Sequence, residues 1–297
     1  MSEERPTVRP VNLARLVEVV HLCERQPCTT TKVTDSLDVT MRRAREAILE
    51  SERISLVKET GEGEGQYYST TIGSKFLNAI KSEDWSSVSK LLAIRSPHYG
   101  AFLGLFEEHT SLDPDTALEL LTEQSEFTPY QYNQTSLDIV GGWAQRLGSI
   151  QRNAFTGTFY ATDCDTMPSN FPYLLLSVVD ELEERTGVNL KQRYLSIPKL
   201  REHLCERIGC NRENFDEALV ALAEQNIGRV ELSGAPIDTG AKDARYGLKT
   251  IELSNDDGLV STNQSSEQVM RGVEQFGKQY YYFAVFDRDL QFEKNDN

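Results

Sequence analysis

Near the amino end, apolar residues recur every three or four positions, which is the spacing of one face of a helix. This first amphipathic helix is predicted to end at Pro27, and a short helix over 32–37 follows, capped by one of the threonines at 29–31. Thr40 can cap a third helix that runs to about Ser51. The side chains predicted to face inward from the first and third helices are Leu13, Leu16, Val17, Val20, Cys23, Met41, Ala44, Ala47 and Ile48.

A β-hairpin is predicted after the third helix. Strands over 54–58 and 66–69 flank the turn 59–65, whose three glycines permit positive φ. Three helices followed by a hairpin resemble the winged helix, a variant of the helix-turn-helix. The stretch 68–77 is similar to the passage from the wing to the last helix in archaeal and bacterial winged-helix regulators. The resemblance covers residues 12 to about 80 and implies that the third helix enters the major groove of DNA.

Two further segments follow the same order of helices and hairpins. In the second, Asp113 and Asn133 can cap helices, and strands over 149–152 and 158–161 form the hairpin. In the third, helices begin near Pro172, Ile197 and Asn211. Strands over 227–232 and 246–253 are predicted to pair around a long polar wing, 233–245.

The expected fold is therefore mainly α with small β-hairpins (α+β), arranged as tandem winged-helix modules. The predicted domains are 1–95, 96–163 and 164–253, and 254–297 forms a linker with a carboxy-terminal helix and strand. The linker is expected over 254–266 and the short helix over 268–276. The strand Tyr280–Phe286 either joins the third sheet or offers an edge to a protein partner or a second copy of the chain.

The composition predicts a folded, soluble protein, since 39% of residues are hydrophobic and 26% are charged. The net charge of −15 is unevenly placed, because residues 1–95 carry 14 basic and 14 acidic residues and are neutral. An acidic surface of this kind suits a protein kept soluble in a salty cytosol. Repulsion of DNA is then expected only from the residues beyond 95.

The candidate DNA contacts are gathered in the neutral first module. Arginine suits this role because its planar fork can pair both acceptors on guanine or clamp a phosphate. Alternatively, the arginines at 42, 43 and 45 pair with Glu46, Glu50 and Glu52 on a solvated helix face. The candidate site residues are Lys32, Thr40, Arg42, Arg43, Arg45, Arg53 and Lys58.

The second and third modules are poorer candidates for DNA contact. Arg146 and Arg152 are the second module's only basic residues, and acidic residues follow Arg212 closely in the third. Packing or protein contact is therefore the expected role of both modules. In the alternative, Lys242, Arg245 and Lys249 make the third wing a reader of phosphates.

No catalytic or cofactor-binding motif stands out: phosphate loops, dinucleotide fingerprints, zinc-protease helices and nucleophile elbows are all absent from the sequence. Asp163, Asp165 and Asp180 are interpreted as solvated carboxylates rather than metal ligands, and the five cysteines as reduced thiols. A cytoplasmic protein without a membrane segment or cofactor is expected.

These features predict a non-catalytic protein that binds double-stranded DNA, acting in transcription regulation or genome maintenance. The alternative is a winged-helix structural or adaptor subunit of a multiprotein complex for DNA processing or defence.

Overall fold

The structure, a computed structural model, describes residues 6–60, 65–162, 164, 166–185, 194–234, 244–253 and 260–293. Helices predominate, and the strands form small antiparallel sheets, so the fold class is α+β as predicted. No helix within these ranges is long and apolar enough to span a membrane.

The amino-terminal helices begin at polar caps. The side chain of Asn12 accepts the backbone N–H of Arg15, and Thr29, Thr40 and Thr70 cap the next three helices in the same way. The elements are α1 (Leu13–Arg25), β1 (Cys28–Thr29), α2 (Thr30–Leu37), α3 (Met41–Arg53), β2 (Val57–Glu59), β3 (Gln66–Ser69) and α4 (Thr71–Lys81).

Two details of this segment differ from the sequence-based predictions. The strand begins at Val57 rather than at 54, because Ser55 turns the chain with φ +65°. Ile54 and Leu56, on either side of that turn, are fully buried. Met41 was predicted to face inward but is 50% exposed, since it occupies the first turn of α3, beyond the buried alanines.

The middle of the chain repeats the order of helices, strands and caps. Asp113 and Asn133 cap helices as predicted, and Gly148, with φ +68°, follows the second of these helices. The elements are α5 (Trp85–Arg95), α6 (Pro97–Glu108), β4 (Ser111–Leu112), α7 (Pro114–Ser125), α8 (Gln134–Arg146), β5 (Ile150–Arg152) and β6 (Phe159–Ala161).

The last part of the chain contains three long helices and most of the short strands. Asn211 caps one helix, and Gly209 ends the helix before it in the left-handed conformation. The elements are α9 (Phe171–Arg185), β7 (Leu195–Ser196), α10 (Ile197–Ile208), α11 (Arg212–Gln225), β8 (Val230–Ser233), β9 (Leu248–Leu253), β10 (Val260–Ser265), α12 (Ser266–Val269), β11 (Val273–Gln275), β12 (Lys278–Tyr280) and β13 (Tyr282–Val285).

Three sheets share one topology. Their strand orders are β1-β3-β2, β4-β6-β5 and β7-β13-β8. In each, the first strand precedes two helices, and the last strand in sequence lies at the centre of the sheet. The same arrangement therefore occurs three times along the chain.

The third sheet corrects one prediction about strand pairing and decides between two alternatives for another strand. β8 pairs with β13, with Val230 opposite Val285, whereas β9 pairs with β10. The predicted pairing of 227–232 with 246–253 is therefore wrong, because the apolar strand β13 takes that place. β13 also pairs with β7, so the strand within Tyr280–Phe286 joins the third sheet and is not an open edge for a partner.

The predicted helix over 268–276 is also wrong. α12 ends at Val269, and β11 and β12 form a hairpin around Phe276 and Gly277. Both of these turn residues have positive φ, which is incompatible with a helix.

The described residues form two compact units, one within 1–150 and 249–264 and the other within 151–248 and 265–297. In the first, the Trp143 indole N–H donates to the carbonyl of Val11 at 2.9 Å, and Tyr99 packs beside Trp143. In the second, Phe171, Phe215 and Phe283 belong to one fully or nearly fully buried cluster. Each unit therefore has an aromatic-centred core.

Candidate nucleic-acid interface

The two faces of α3 have different chemistry. Ala44, Ala47 and Ile48 are at most 1% exposed and lie on the side where α1 and α2 pack. This apolar stripe fixes the rotation of the helix about its axis, since burying it stabilises the packing. The arginines at 42, 43 and 45 are exposed on the remaining surface.

Two of the three carboxylates of α3, those of Glu46 and Glu50, have partners other than the exposed arginines. Arg9 Nε lies 3.2 Å from Glu46 Oε2, and the Arg9 backbone N–H donates to Glu50 Oε2 at 3.2 Å. Glu50 is fully buried and also accepts the guanidinium of Arg53. The interpretation in which Glu46 and Glu50 pair with the exposed arginines therefore does not describe this helix.

The three exposed arginines are unpaired within the part of the chain that the structure describes. Arg42, Arg43 and Arg45 make no ion pair and no side-chain hydrogen bond with any described residue. Only the backbone of Arg43 is engaged, because its N–H donates to Thr40 Oγ1 at 3.3 Å. Their guanidinium groups are thus available to an external acceptor.

Arg53 has a buried side chain, whereas a phosphate contact was expected of it. Its side chain is 6% exposed, pairs with Glu50 and approaches Nδ1 of His98 at 3.3 Å. Because a buried cation with two internal partners cannot also reach DNA, Arg53 does not belong to the candidate interface.

The remaining candidate residues flank α3. Lys58 is exposed on β2, opposite Tyr68, which is 40% exposed. Burial raises the pKa of Tyr67 on β3, the charges of Glu59 and Glu52 raise it further, and the charge of Arg45 opposes that rise. The hairpin tip, 61–64, lies outside the described residues.

Lys32 and Thr40 are less available to a ligand than the three exposed arginines. Lys32 is half-buried on α2, and its charge adds to the hydrogen bond with Cys23 in lowering the pKa of the Cys28 thiol. Thr40 is exposed, but its hydroxyl oxygen is the cap of α3. The interface that remains consists of Arg42, Arg43, Arg45 and Lys58, bordered by Lys32 and Thr40.

Sequence reasoning missed Arg9 as a residue of this region. Arg9 is separated from Glu46 by all of α1, all of α2 and the first turns of α3, so no local spacing links the two residues. Only folding brings the segment before α1 against α3.

The helices of the other two segments that correspond to α3 are α8 and α11, and their arginines serve internal contacts. Arg146 donates to the carbonyl of Gly142 at 3.0 Å, and burial lowers its pKa. Arg212 donates to Glu202 Oε2 at 2.8 Å, to Gln151 at 2.9 Å and to a backbone carbonyl. Neither helix presents an exposed arginine cluster comparable to that of α3.

The other basic residues considered from the sequence are Arg152, Lys242, Arg245 and Lys249. The Arg152 guanidinium lies 4.6 Å from the ring centre of Phe159 and 3.9 Å from that of Tyr246. Arg245 is exposed and Lys249 is half-buried. Lys242 lies outside the described residues.

The structure describes one of the three aspartates that are interpreted as solvated carboxylates. Asp163 and Asp165 lie outside the described residues, and Asp180 pairs with Arg288. Among the residues described, no group of three possible ligands could hold a metal ion.

No protein-family profile matches the sequence, and neither does any curated protein. Two solved structures resemble the fold at low identity. The magnesium ion-bound SspB crystal structure shares 12% identity with a TM-score of 0.41, over 78% of this chain and 81% of that chain. The restriction endonuclease FokI shares 9% identity with a TM-score of 0.35, over 95% of this chain and 62% of that chain. Similarity this distant carries no functional conclusion.

Proposed function

We propose that this protein binds double-stranded DNA through α3 and acts without catalysis, as a regulator of transcription or genome maintenance. The observation that carries the proposal is the group of three exposed arginines in the first turns of α3, which have no partner among the described residues. Groups of this kind bind phosphates and guanine edges.

The arrangement around α3 supports a winged helix. α1, α2 and α3 are followed by the hairpin β2–β3, and β1 completes a sheet whose last strand is central. In such proteins the second helix of the helix-turn-helix lies in the major groove, and its amino-terminal residues reach the bases. Arg42, Arg43 and Arg45 occupy that end of α3, and Lys58 on β2 is placed to meet a flanking phosphate.

The acidic charge of the whole chain is compatible with this function. DNA affinity depends on the cations that neutralise phosphates locally, and the module that carries α3 is neutral. The acidic remainder lowers non-specific affinity, because like charges repel. We therefore expect binding to depend steeply on salt and on this one surface.

The test uses the full-length chain, a fluorescently labelled duplex of mixed sequence and anisotropy titrations at several salt concentrations. The variant Arg42→Ala/Arg43→Ala/Arg45→Ala should abolish binding, or flatten the slope of log affinity against log salt by about one for each phosphate that the variant no longer neutralises. The matched control is Lys75→Ala/Lys90→Ala/Arg95→Ala, which removes three cations from α4 and α5.

The control should bind with the affinity of the wild type. Equal affinity of the arginine variant and the wild type, with circular dichroism showing both folded, would rule out α3 as the DNA-binding element. An equally large decrease in affinity in the arginine variant and its control would mean that net charge, rather than this surface, sets the affinity.

A further inference from the structure

We infer that Arg9 keeps the arginines of α3 available for DNA by holding the carboxylate of Glu46 away from them. This inference rests on the proposed function, because it assigns a positioning residue to the same surface. The residue lies before α1 and outside the helix-turn-helix itself.

Arg9 holds both carboxylates on one side of α3. Its Nε lies 3.2 Å from Glu46 Oε2, and its Nη1 lies 3.6 Å from Glu50 Oε2. Glu50 has no exposed side-chain surface, and Arg53 holds it from within the same helix. Because a buried pair is poorly screened by solvent, Glu50 anchors Arg9, and Arg9 in turn reaches Glu46.

Glu46 is the carboxylate that is placed to pair with the arginines of the DNA-binding surface. It lies three residues after Arg43 and four after Arg42, the spacings at which side chains of one helix meet. Its side chain is 26% exposed, so it has room to turn toward them, and Arg9 is one of the groups that hold it back. A Glu46 that pairs with Arg42 or Arg43 would compete with phosphate for that arginine.

Arg9 does not act as a DNA contact in this arrangement. Its side chain is 14% exposed, and its Nε and Nη1 atoms already face carboxylates. Its effect on DNA binding is therefore exerted through Glu46. This distinguishes a positioning residue from one more basic residue on the binding surface.

A double-mutant cycle on the full-length chain tests the inference, with anisotropy titration of the same labelled duplex. Arg9→Ala should weaken binding roughly fivefold, the low end of the effect of removing one arginine from an interface with DNA. In a Glu46→Gln background the same change should have little effect, because the competing carboxylate is gone. Arg15→Ala, which removes the partner of Glu18 on α1, is the matched control and should leave affinity unchanged.

The outcomes separate this inference from the proposed function. If Arg9→Ala weakens binding equally with Glu46 and with Gln at position 46, Arg9 is a direct contact and the inference is wrong, while DNA binding stands. No effect of Arg9→Ala in either background also overturns it. Arg9→Met, which keeps the aliphatic packing at this position but cannot pair with a carboxylate, repeats the cycle if Arg9→Ala lowers the melting temperature too far. Failure of the wild type to bind any duplex would instead refute the proposed function.

Discussion

The guanidinium of Arg53, on α3, lies 3.3 Å from Nδ1 of His98, a fully buried residue of α6. Nε2 of His98 lies 3.0 Å from the carbonyl of Pro6, which can only accept, so Nε2 carries the proton. Nδ1 is then the acceptor for Arg53. A neutral histidine in one tautomer thus joins α3 to α6 and to the segment before α1.

This contact predicts how stability changes with pH. Burial lowers the pKa of His98 below its usual 6.5, and the charge of Arg53 lowers it further. The unfolded chain therefore binds a proton that the folded chain excludes, so stability falls as pH drops below about 6.5. We expect the free energy of unfolding to decrease by up to about 1.4 kcal/mol per pH unit from this group, measured by urea denaturation.

His98→Gln is the matched variant, because glutamine can donate and accept but does not titrate. It should be less stable than the wild type at neutral pH and should lack this component of the pH dependence. An unchanged slope between pH 7 and 5 in His98→Gln would show that other groups cause it.

Arg212 should matter for stability rather than for DNA. It is 14% exposed and its guanidinium bonds to Glu202, which has no exposed side-chain surface. Removing one partner leaves a buried, uncompensated charge, so Arg212→Ala should destabilise the second unit by about 3–5 kcal/mol. DNA affinity at a temperature where the variant is folded should not change. A decrease in affinity without a decrease in stability would show that α11 contacts DNA.

Gly73 of α4 leaves no room for a side chain. A Cβ atom there would lie 2.2 Å from the carbonyl oxygen of Leu56 and 2.5 Å from Ser69 Oγ. Gly73→Ala should therefore cost about 1–3 kcal/mol, despite the higher helix propensity of alanine. Gly104 of α6 has nothing within 4 Å of the same position, so Gly104→Ala should stabilise by about 0.5–1 kcal/mol. Thermal melts of the two variants should shift in opposite directions.

In the turn between β11 and β12, Phe276 has a backbone conformation that phenylalanine rarely adopts. Phe276 has φ +52° and is 85% exposed. Asparagine adopts positive φ more readily, so Phe276→Asn should stabilise the chain by about 0.5–1 kcal/mol. Phe276→Ala should give no such gain, because alanine also disfavours this region. Equal melting temperatures for the Asn and Ala variants would count against backbone strain at this turn.

The helices with a clear cap could be predicted from the sequence because their signals are local. Thr40, Asp113, Asn133 and Asn211 cap helices where their positions before apolar runs predicted. The position of Arg42, Arg43 and Arg45 away from the alanines of α3 follows from the same periodicity. That β13, rather than 246–253, pairs with β8 could not be predicted, because the two strands are separated by a long insertion that contains other strands.

By itself the sequence determined where the capped helices begin and which surface of α3 is basic, since both depend on neighbours within a few positions. Tertiary structure alone decided which charges stay available: Arg53 is withdrawn into a pair with Glu50, and Arg9 is brought to Glu46. The reason is physical, because the state of an ionic group depends on burial and on the nearest opposite charge. Those are set by chain segments that are distant in sequence and meet only on folding.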